Sequence, residues 1–287
     1  EEFARAVSLG LFDYLRKSRS NGFVVSLSGG ADSAAVASLS ALAVELGVQE
    51  LGLDAIKERL QHIRAIQDAT DARSIVSRTL TTVYQGTRNS SSTTRDAAAA
   101  VAESIGAEFL EFDVDESVQR YIGMVSESLG RELKWEQDDL ALQNIQARAR
   151  APGVWLLANL RNALLLSTSN RSEAAVGYAT MDGDTCGGLS PIAGIDKAFL
   201  RRWLGWMASD GLAGRDPIPA LAAVNAQHPT AELRPPGAKQ TDEEDLMPYD
   251  VLDEIERAAI RDKLGPSEVF RVLRSTRPAQ SNEQLLA

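Results

Sequence analysis

Residues 26–33 read Ser26-Leu27-Ser28-Gly29-Gly30-Ala31-Asp32-Ser33 (SLSGGADS), and they join a short β-branched run, Gly22 to Leu27 (GFVVSL), to an Ala-rich helical pattern from Ala31 to about Leu46. A strand that enters a helix through two adjacent glycines is a phosphate cradle. The first amide groups of the helix lack intrahelical partners and point at any anion above them. Gly29 and Gly30 carry no Cβ, so phosphate oxygens can approach the backbone and positive φ is available. Ser28 and Ser33 add hydroxyl donors. Asp32 is the odd member, because a carboxylate beside phosphates is repelled unless a cation lies between them, and it points to Mg²⁺. The plainer alternative is a tight turn with Asp32 favoured in the first helical turn by the macrodipole.

The whole string resembles the pyrophosphate loop SGGxDS of the N-type ATP pyrophosphatases, which split ATP between the α and β phosphates and adenylate a substrate oxygen. There is no Gly-Lys-Ser/Thr ending of a kinase-type loop and no G-x-G-x-x-G dinucleotide spacing here.

Around this loop the composition is that of a globular chain. The sequence has 287 residues, 44% of them hydrophobic, and no run near the ~20 uninterrupted apolar residues of a membrane span. It begins Glu-Glu-Phe without an apolar leader and holds one cysteine, Cys186, so no internal disulfide is available and a cytoplasmic setting is expected. A net charge of −10 argues against a nucleic-acid surface, whose affinity comes from Lys and Arg on phosphates. With two histidines, His62 and His228, a zinc site or a His-dependent triad has few parts; His62 reads as a surface residue.

Phe3, Val7, Leu11, Tyr14 and Leu15 make one apolar stripe of an opening helix, closed by the Ser-Asn-Gly turn at 20–22. After the first strand, further strand candidates are Thr79 to Tyr84, Glu108 to Val114 and Ala163 to Ser167, with helical patterns between them. This alternation predicts an α/β fold, a parallel sheet with helices on both faces, in one domain over 1–287. Ligands of such sheets bind beyond the carboxyl ends of the strands. Gln85 to Arg95 (QGTRNSSSTTR) is too polar to pack, leaving a disordered surface loop or a loop that orders over ATP as open readings. Pro229 to Asp250, with four prolines and a run of acids, is expected to be neither helix nor strand, and the helices from Val251 onward are expected beside the sheet.

A second signature follows the last strand: Thr168-Ser169-Asn170-Arg171-Ser172-Glu173, then AAVGYATMDGDTCGGLSPIAGIDK. Glu173, on the helix after a neighbouring strand, can reach the same metal as Asp32; alone, it would read as a first-turn helix residue. Together with the loop, this segment resembles the NAD synthetase family, which carries a similar STSNRSE-x-x-x-GYAT-x-x-GD run followed by a proline and a lysine. The resemblance extends from about Tyr14 to Asp253 and takes in PTAEL at Pro229 to Leu233 and the later LMPYDVLDEIE.

The resemblance implies an adenine nucleotide alpha hydrolase-like, Rossmann-like fold and a ligase that amidates deamido-NAD to NAD, releasing AMP and pyrophosphate from ATP through an adenylated intermediate. It further implies that Ser26 to Ser33 hold the leaving pyrophosphate, that Asp32 and Glu173 bind Mg²⁺, and that Thr168 and Thr230 contact ATP. Lys197 matches a lysine at the phosphates, Asp32, Ser33 and Lys197 being the catalytic set, and Arg148 matches an arginine that holds deamido-NAD. Arg150 is an adjacent cation for which a solvated helix face is an equal alternative. The family forms homodimers with deamido-NAD at the boundary. The opening helix, with Tyr14, is a candidate contributor there, and plain packing on the sheet is its alternative.

Two departures bear on substrate and nitrogen source. Compact ammonia-dependent members carry a lysine and an aspartate where this chain has Met181 and Gly188. MDGDTCGG looks more like the longer glutamine-dependent branch, whose nitrilase-like glutaminase domain is not found in these residues; a separate or missing glutaminase is therefore expected, with ammonia as the nitrogen source of the chain itself. The alternatives are another adenylating pyrophosphatase of the same fold and a nucleotide-binding regulatory subunit without turnover.

Overall fold

The computed structural model describes residues 1–227, 232–235 and 242–286. In chain order the elements are α1 (Glu2–Ser18), β1 (Phe23–Ser26), α2 (Ala31–Leu51), α3 (Leu53–Arg59), α4 (Ala72–Thr79), β2 (Leu80–Gly86), α5 (Ser92–Ile105) and β3 (Glu108–Asp113). They continue with α6 (Asp115–Leu129), α7 (Trp135–Ala149), α8 (Ala151–Arg161), β4 (Leu164–Leu166), α9 (Arg171–Val176), α10 (Lys197–Ser209) and α11 (Ala220–Ala226). The last are α12 (Asp242–Asp245), α13 (Tyr249–Glu256), α14 (Pro266–Thr276) and α15 (Asn282–Leu286).

The four strands form one parallel sheet in the order β3-β2-β1-β4. All four strand expectations fall on strands. β1 and β2, in the middle of the sheet, are buried on both faces, whereas the edge strand β3 (EFLEFD) is only partly buried and exposes Glu111 and Asp113. On one face α2 fills the core: Ala34, Ala35, Val36, Ala37, Leu39 and Leu42 have no exposed surface. Its small side chains let the helix lie close to the sheet and to α1, whose Ser8 hydroxyl donates to the Leu39 carbonyl at 3.0 Å. By length and composition α2 is apolar enough to cross a membrane, contrary to the reading of the sequence, but most of it is buried here as a core helix. On the other face Val24, Val83 and Leu165 pack against Val154 and Ala158 of α8.

Consecutive strands β1, β2 and β3 progress in one direction, whereas β4 returns to the far side of β1. The loops after β1 and β4 therefore open away from each other at a topological switch point, and a crevice forms between them. Three expectations need correction. Gln85 and Gly86 still belong to β2, and α5 begins at Ser92, with the Ser91 hydroxyl accepting from the Thr94 amide; Ser and Thr here mark a helix start rather than a long loop. Within 229–250 there is a short helix at Asp242–Asp245, and α13 starts at Tyr249. His62 is half-buried, with Nε2 3.1 Å from the Ser20 carbonyl oxygen.

Candidate active site

A cleft of about 630 Å³ lies beyond the carboxyl ends of β1, β2 and β4, lined by the loop after β1, the end of β2, α7, the start of α8, and residues 168–186. The loop is shaped by contact with α5. Gly29 has φ +84°, and a Cβ there would stand 2.1 Å from the Thr94 carbonyl oxygen, so only glycine fits. Gly30 is the N-cap of α2, and no side chain caps that helix. The amides of Ala31, Asp32 and Ser33 have no partner among the described residues, which leaves them directed at the cleft. The two serines behave differently from expectation. Ser33 Oγ accepts from the Ser28 amide and donates to the Gly30 carbonyl, both at 3.2 Å, and lies 3.0 Å from Ser28 Oγ, so these hydroxyls brace the loop internally. Ser26 and Ser28 line the cleft, while Leu27 is fully buried beneath it.

Asp32 and Glu173 meet across the switch point. Asn170 caps α9 by accepting from the Glu173 amide at 3.0 Å, and its amide group donates to Asp32 at 3.1 Å, linking the two loops. The Lys197 ammonium, at the start of α10, is inserted between the carboxylates, on Asp32 Oδ2 and 2.8 Å from Glu173 Oε1. All three are largely buried. Two carboxylates and one ammonium leave one surplus negative charge. Burial pushes the Asp32 carboxyl up to about 7, with Lys197 opposing and Glu173 adding to the rise. Burial pulls the Lys197 amine down, but its two carboxylate neighbours outweigh that and hold it above its ordinary range.

Thr168 lines the same cleft, its amide donating to the Asp184 carbonyl at 3.4 Å. Thr230 lies outside the described residues. Arg150 lines the cleft with its Nε donating to the Gln85 carbonyl at 3.2 Å and with no carboxylate ion-pair partner among the described residues; burial pulls its pKa down. Arg148 does not: it is exposed, and its Nε donates to the Met181 carbonyl at 3.0 Å. Two positions along a helix point about 200° apart, so one residue of the Arg-Ala-Arg run faces inward and the other outward. Tyr14 is exposed on α1 and also lies outside the cleft wall, because the stripe it was read with buries Leu11 and Leu15.

The sequence reading missed three contributors. Gln85 is buried at the end of β2, with Nε2 donating to Ser26 Oγ at 2.9 Å. Residues 232–234 bridge opposite walls. Glu232 accepts from the Ser91 amide at 3.1 Å and from the Ser91 and Thr94 hydroxyls at 2.6 and 2.8 Å; the Leu233 carbonyl accepts from Gln146 and Asn89; Arg234 pairs with Asp139 at 2.7 Å. Tyr249 donates to Glu173 Oε1 at 3.3 Å. A polar loop with prolines gives no periodicity by which such contacts could be found.

The glycines of 183–188 have a steric cause. Gly188 donates to the Leu165 carbonyl and Ser167 to the Leu189 carbonyl, so this segment runs beside β4, and a Cβ on Gly187 would stand 2.4 Å from the Ser167 nitrogen. Burial pushes the Cys186 thiol up, and it is no activated nucleophile.

Known proteins resemble this chain over its length. A glutamine-dependent NAD(+) synthetase of Oryza sativa subsp. indica is 34% identical over 295 residues, covering 95% of this chain and 40% of the relative. The crystal structure of a glutamine-dependent NAD(+) synthetase from Cytophaga hutchinsonii superposes with a TM-score of 0.84 at 44% identity, over 99% of this chain and 46% of that one. Glutamine-dependent NAD+ synthetase from Acinetobacter baumannii, solved with adenosine diphosphate, shares the fold at a TM-score of 0.59 and 22% identity, over 99% of this chain and 42% of that one. This chain thus spans less than half the length of these relatives. The sequence pattern of the family described as NAD synthase matches residues 3–282, a range that includes every strand and both signature loops, and the chain belongs to that family.

Proposed function

We propose that this chain carries the ATP-dependent amidation of deamido-NAD to NAD, with AMP and pyrophosphate as the other products. The observation that carries this reading is the meeting of Asp32 and Glu173, from the loops after β1 and β4, at the edge of a cleft that also holds the free amides of the phosphate loop. In the first step an oxygen of the nicotinate carboxylate attacks the α phosphorus of ATP, the bond from that phosphorus to the bridging oxygen breaks, and pyrophosphate leaves. In the second, ammonia attacks the acyl carbon and AMP departs with the bonding electrons. The amides of Ala31, Asp32 and Ser33 would bind the leaving pyrophosphate, and the Lys197 ammonium would oppose its growing charge. Arg150, a half-buried cation with no carboxylate ion-pair partner among the described residues, is the better placed of the two arginines to hold an anionic group of deamido-NAD in a single chain.

Asp32 and Glu173 fit a magnesium ion: hard oxygen donors, close enough to share one cation, with a surplus negative charge. Bound there, Mg²⁺ would neutralise phosphate charge. Nitrogen is proposed to arrive as ammonia, because Cys186 is not activated. A homodimer is proposed to form through the exposed apolar side chains Tyr121, Met124, Val125 and Leu129 of α6 and Leu156 and Leu160 of α8; on α1, Leu9 and Tyr14 are exposed as well.

The test is pyrophosphate and AMP release from ATP with deamido-NAD, Mg²⁺ and an ammonium salt. Pyrophosphate release is expected only with deamido-NAD and Mg²⁺ both present, and AMP release only when the ammonium salt is added, rising between about pH 7 and 9 as the free-base fraction of ammonia grows. Equal turnover with xanthosine monophosphate, or without an acceptor, would refute the assignment.

A further inference from the structure

The junction of Asp32, Glu173 and Lys197 rests on one face of α13 that the proposed chemistry leaves without a role. α13 follows Pro248, and Tyr249 and Asp253, four residues apart, point the same way. Both are buried, at 1% and 4% exposure, against the N-terminal turns of α9 and α10. Asp253 accepts from the Ser172 hydroxyl with one oxygen and from the Ala198 amide with the other, at 3.0 Å. Ser172 Oγ in turn accepts from the Lys197 amide at 2.9 Å. One carboxylate therefore spans the starts of the two helices that carry Glu173 and Lys197, where partial positive charge favours an anion. Tyr249 completes the support: its hydroxyl donates to Glu173 Oε1 at 3.3 Å, and its ring centroid lies 5.5 Å from Lys197 Nζ.

Asp196 and Glu256 lie close enough to Asp253 for their carboxylate oxygens to stand within 4.8 Å of one another, but they make different contacts. Arg171 pairs with Asp196 and Glu256, and Arg257 with Asp196, so none of these replaces Asp253 at Ser172 or Ala198. An amide at 253 serves less well: its one oxygen can accept from the Ala198 N–H, but its NH₂ then donates to Ser172 Oγ and the Ser172 hydroxyl proton loses its carboxylate acceptor.

We propose that Asp253 and Tyr249 are positioning residues: α13 fixes, through Ser172 and two helix starts, the placement of Glu173 relative to Lys197. The inference rests on the functional reading above for its kinetic consequence and on contact geometry alone for its structural one. α9 has six residues and cannot hold its own register, so its Glu173 needs an external anchor.

The experiment uses Asp253→Asn, Ser172→Ala and Tyr249→Phe in the full chain. Three quantities are measured for each: the melting temperature, kcat and KM for ATP in pyrophosphate release, and the rate at which acetic anhydride modifies Lys197, read by mass spectrometry against Lys17 and Lys57. In Asp253→Asn and Ser172→Ala, kcat is expected to fall by about tenfold or more while KM for ATP stays within about twofold, with a smaller fall in Tyr249→Phe. Lys197 is expected to be modified severalfold faster in all three, with Lys17 and Lys57 unchanged. Wild-type kcat with Lys197 as protected as in the wild type overturns the proposal, including where the melting temperature has dropped. If Asp253→Asn does not fold, Ser172→Ala and Tyr249→Phe decide by the same criteria. If the wild type itself releases no pyrophosphate, the functional reading fails, and Lys197 modification still decides the positioning role.

Discussion

Replacing Asp32 by Asn should make the ligand-free protein more stable at pH 8 while abolishing its chemistry. The Asp32 carboxyl is raised from 3.8 to about 7, burial being the largest cause and Glu173 adding to it, with Lys197 and Asn170 opposing. A folded-state value above the unfolded one means that the stabilising contribution of this group is fully present below about pH 4 and is lost as pH rises through about 7. At 1.36 kcal/mol per unit, the shift sets a ceiling of about 4 kcal/mol on the destabilisation from ionised Asp32 at pH 8. Asn keeps the oxygen that accepts from Asn170 Nδ2 and removes the surplus charge, and it gives up the hydrogen bond and ion pair that Asp32 Oδ2 makes with Lys197, a loss that subtracts from the gain. Urea unfolding at intervals from pH 5 to 8 reads both predictions: the wild type weakens with rising pH, and Asp32→Asn weakens less, by up to the same ~4 kcal/mol. Asp184, Asp253 and Glu256 are also raised by burial, but they titrate in both proteins, so the difference belongs to Asp32. The reasoning fails if Asp32→Asn is no more stable than the wild type at pH 8, because the Lys197 ion pair would then outweigh burial and Glu173 together.

Gly29→Ala combines a positive φ with a Cβ 2.1 Å from the Thr94 carbonyl oxygen and should cost at least about 2 kcal/mol of stability and remove ATP binding; calorimetric titration at wild-type affinity would contradict this. Glu232→Gln leaves an amide facing donors from Ser91 and Thr94 at the start of α5, the turn that backs Gly29, and should weaken ATP binding by about tenfold, or ~1.4 kcal/mol. An unchanged dissociation constant for ATP would show that this bridge does not reach the phosphate loop. Light scattering should find a dimer, and Leu160→Glu, at a side chain 77% exposed on α8, should dissociate it with little change in melting temperature. A dimer that persists in Leu160→Glu, or a monomeric wild type, would place the apolar face outside any interface.

Local pattern determined much of this molecule. β-branched and apolar runs flanked by helical periodicity marked all four strands: the central ones because burial on both faces favours apolar residues, and the edge strand β3 through its Phe109, Leu110 and Phe112 among acids. The glycine pair marked the turn at 29–30, although only Gly29 requires glycine, by its positive φ and the close carbonyl of Thr94, while Gly30 is extended at φ −88°. Asp32, Glu173 and Lys197 were legible as a charged set from two motifs far apart in the chain. Tertiary structure alone decided the rest. That the three charges share one point follows from β4 returning to the far side of β1, and strand order is not written in any local run. Arg150 faces the cleft and Arg148 the surface because of the phase at which α7 meets α8 and the sheet, and an Arg-Ala-Arg run is silent about phase. The roles of Glu232 and Asp253 depend on contacts across more than 50 residues, made by side chains whose local context is proline, acid and turn. Such contacts are set by where the packed core brings the chain back, which no window of sequence contains.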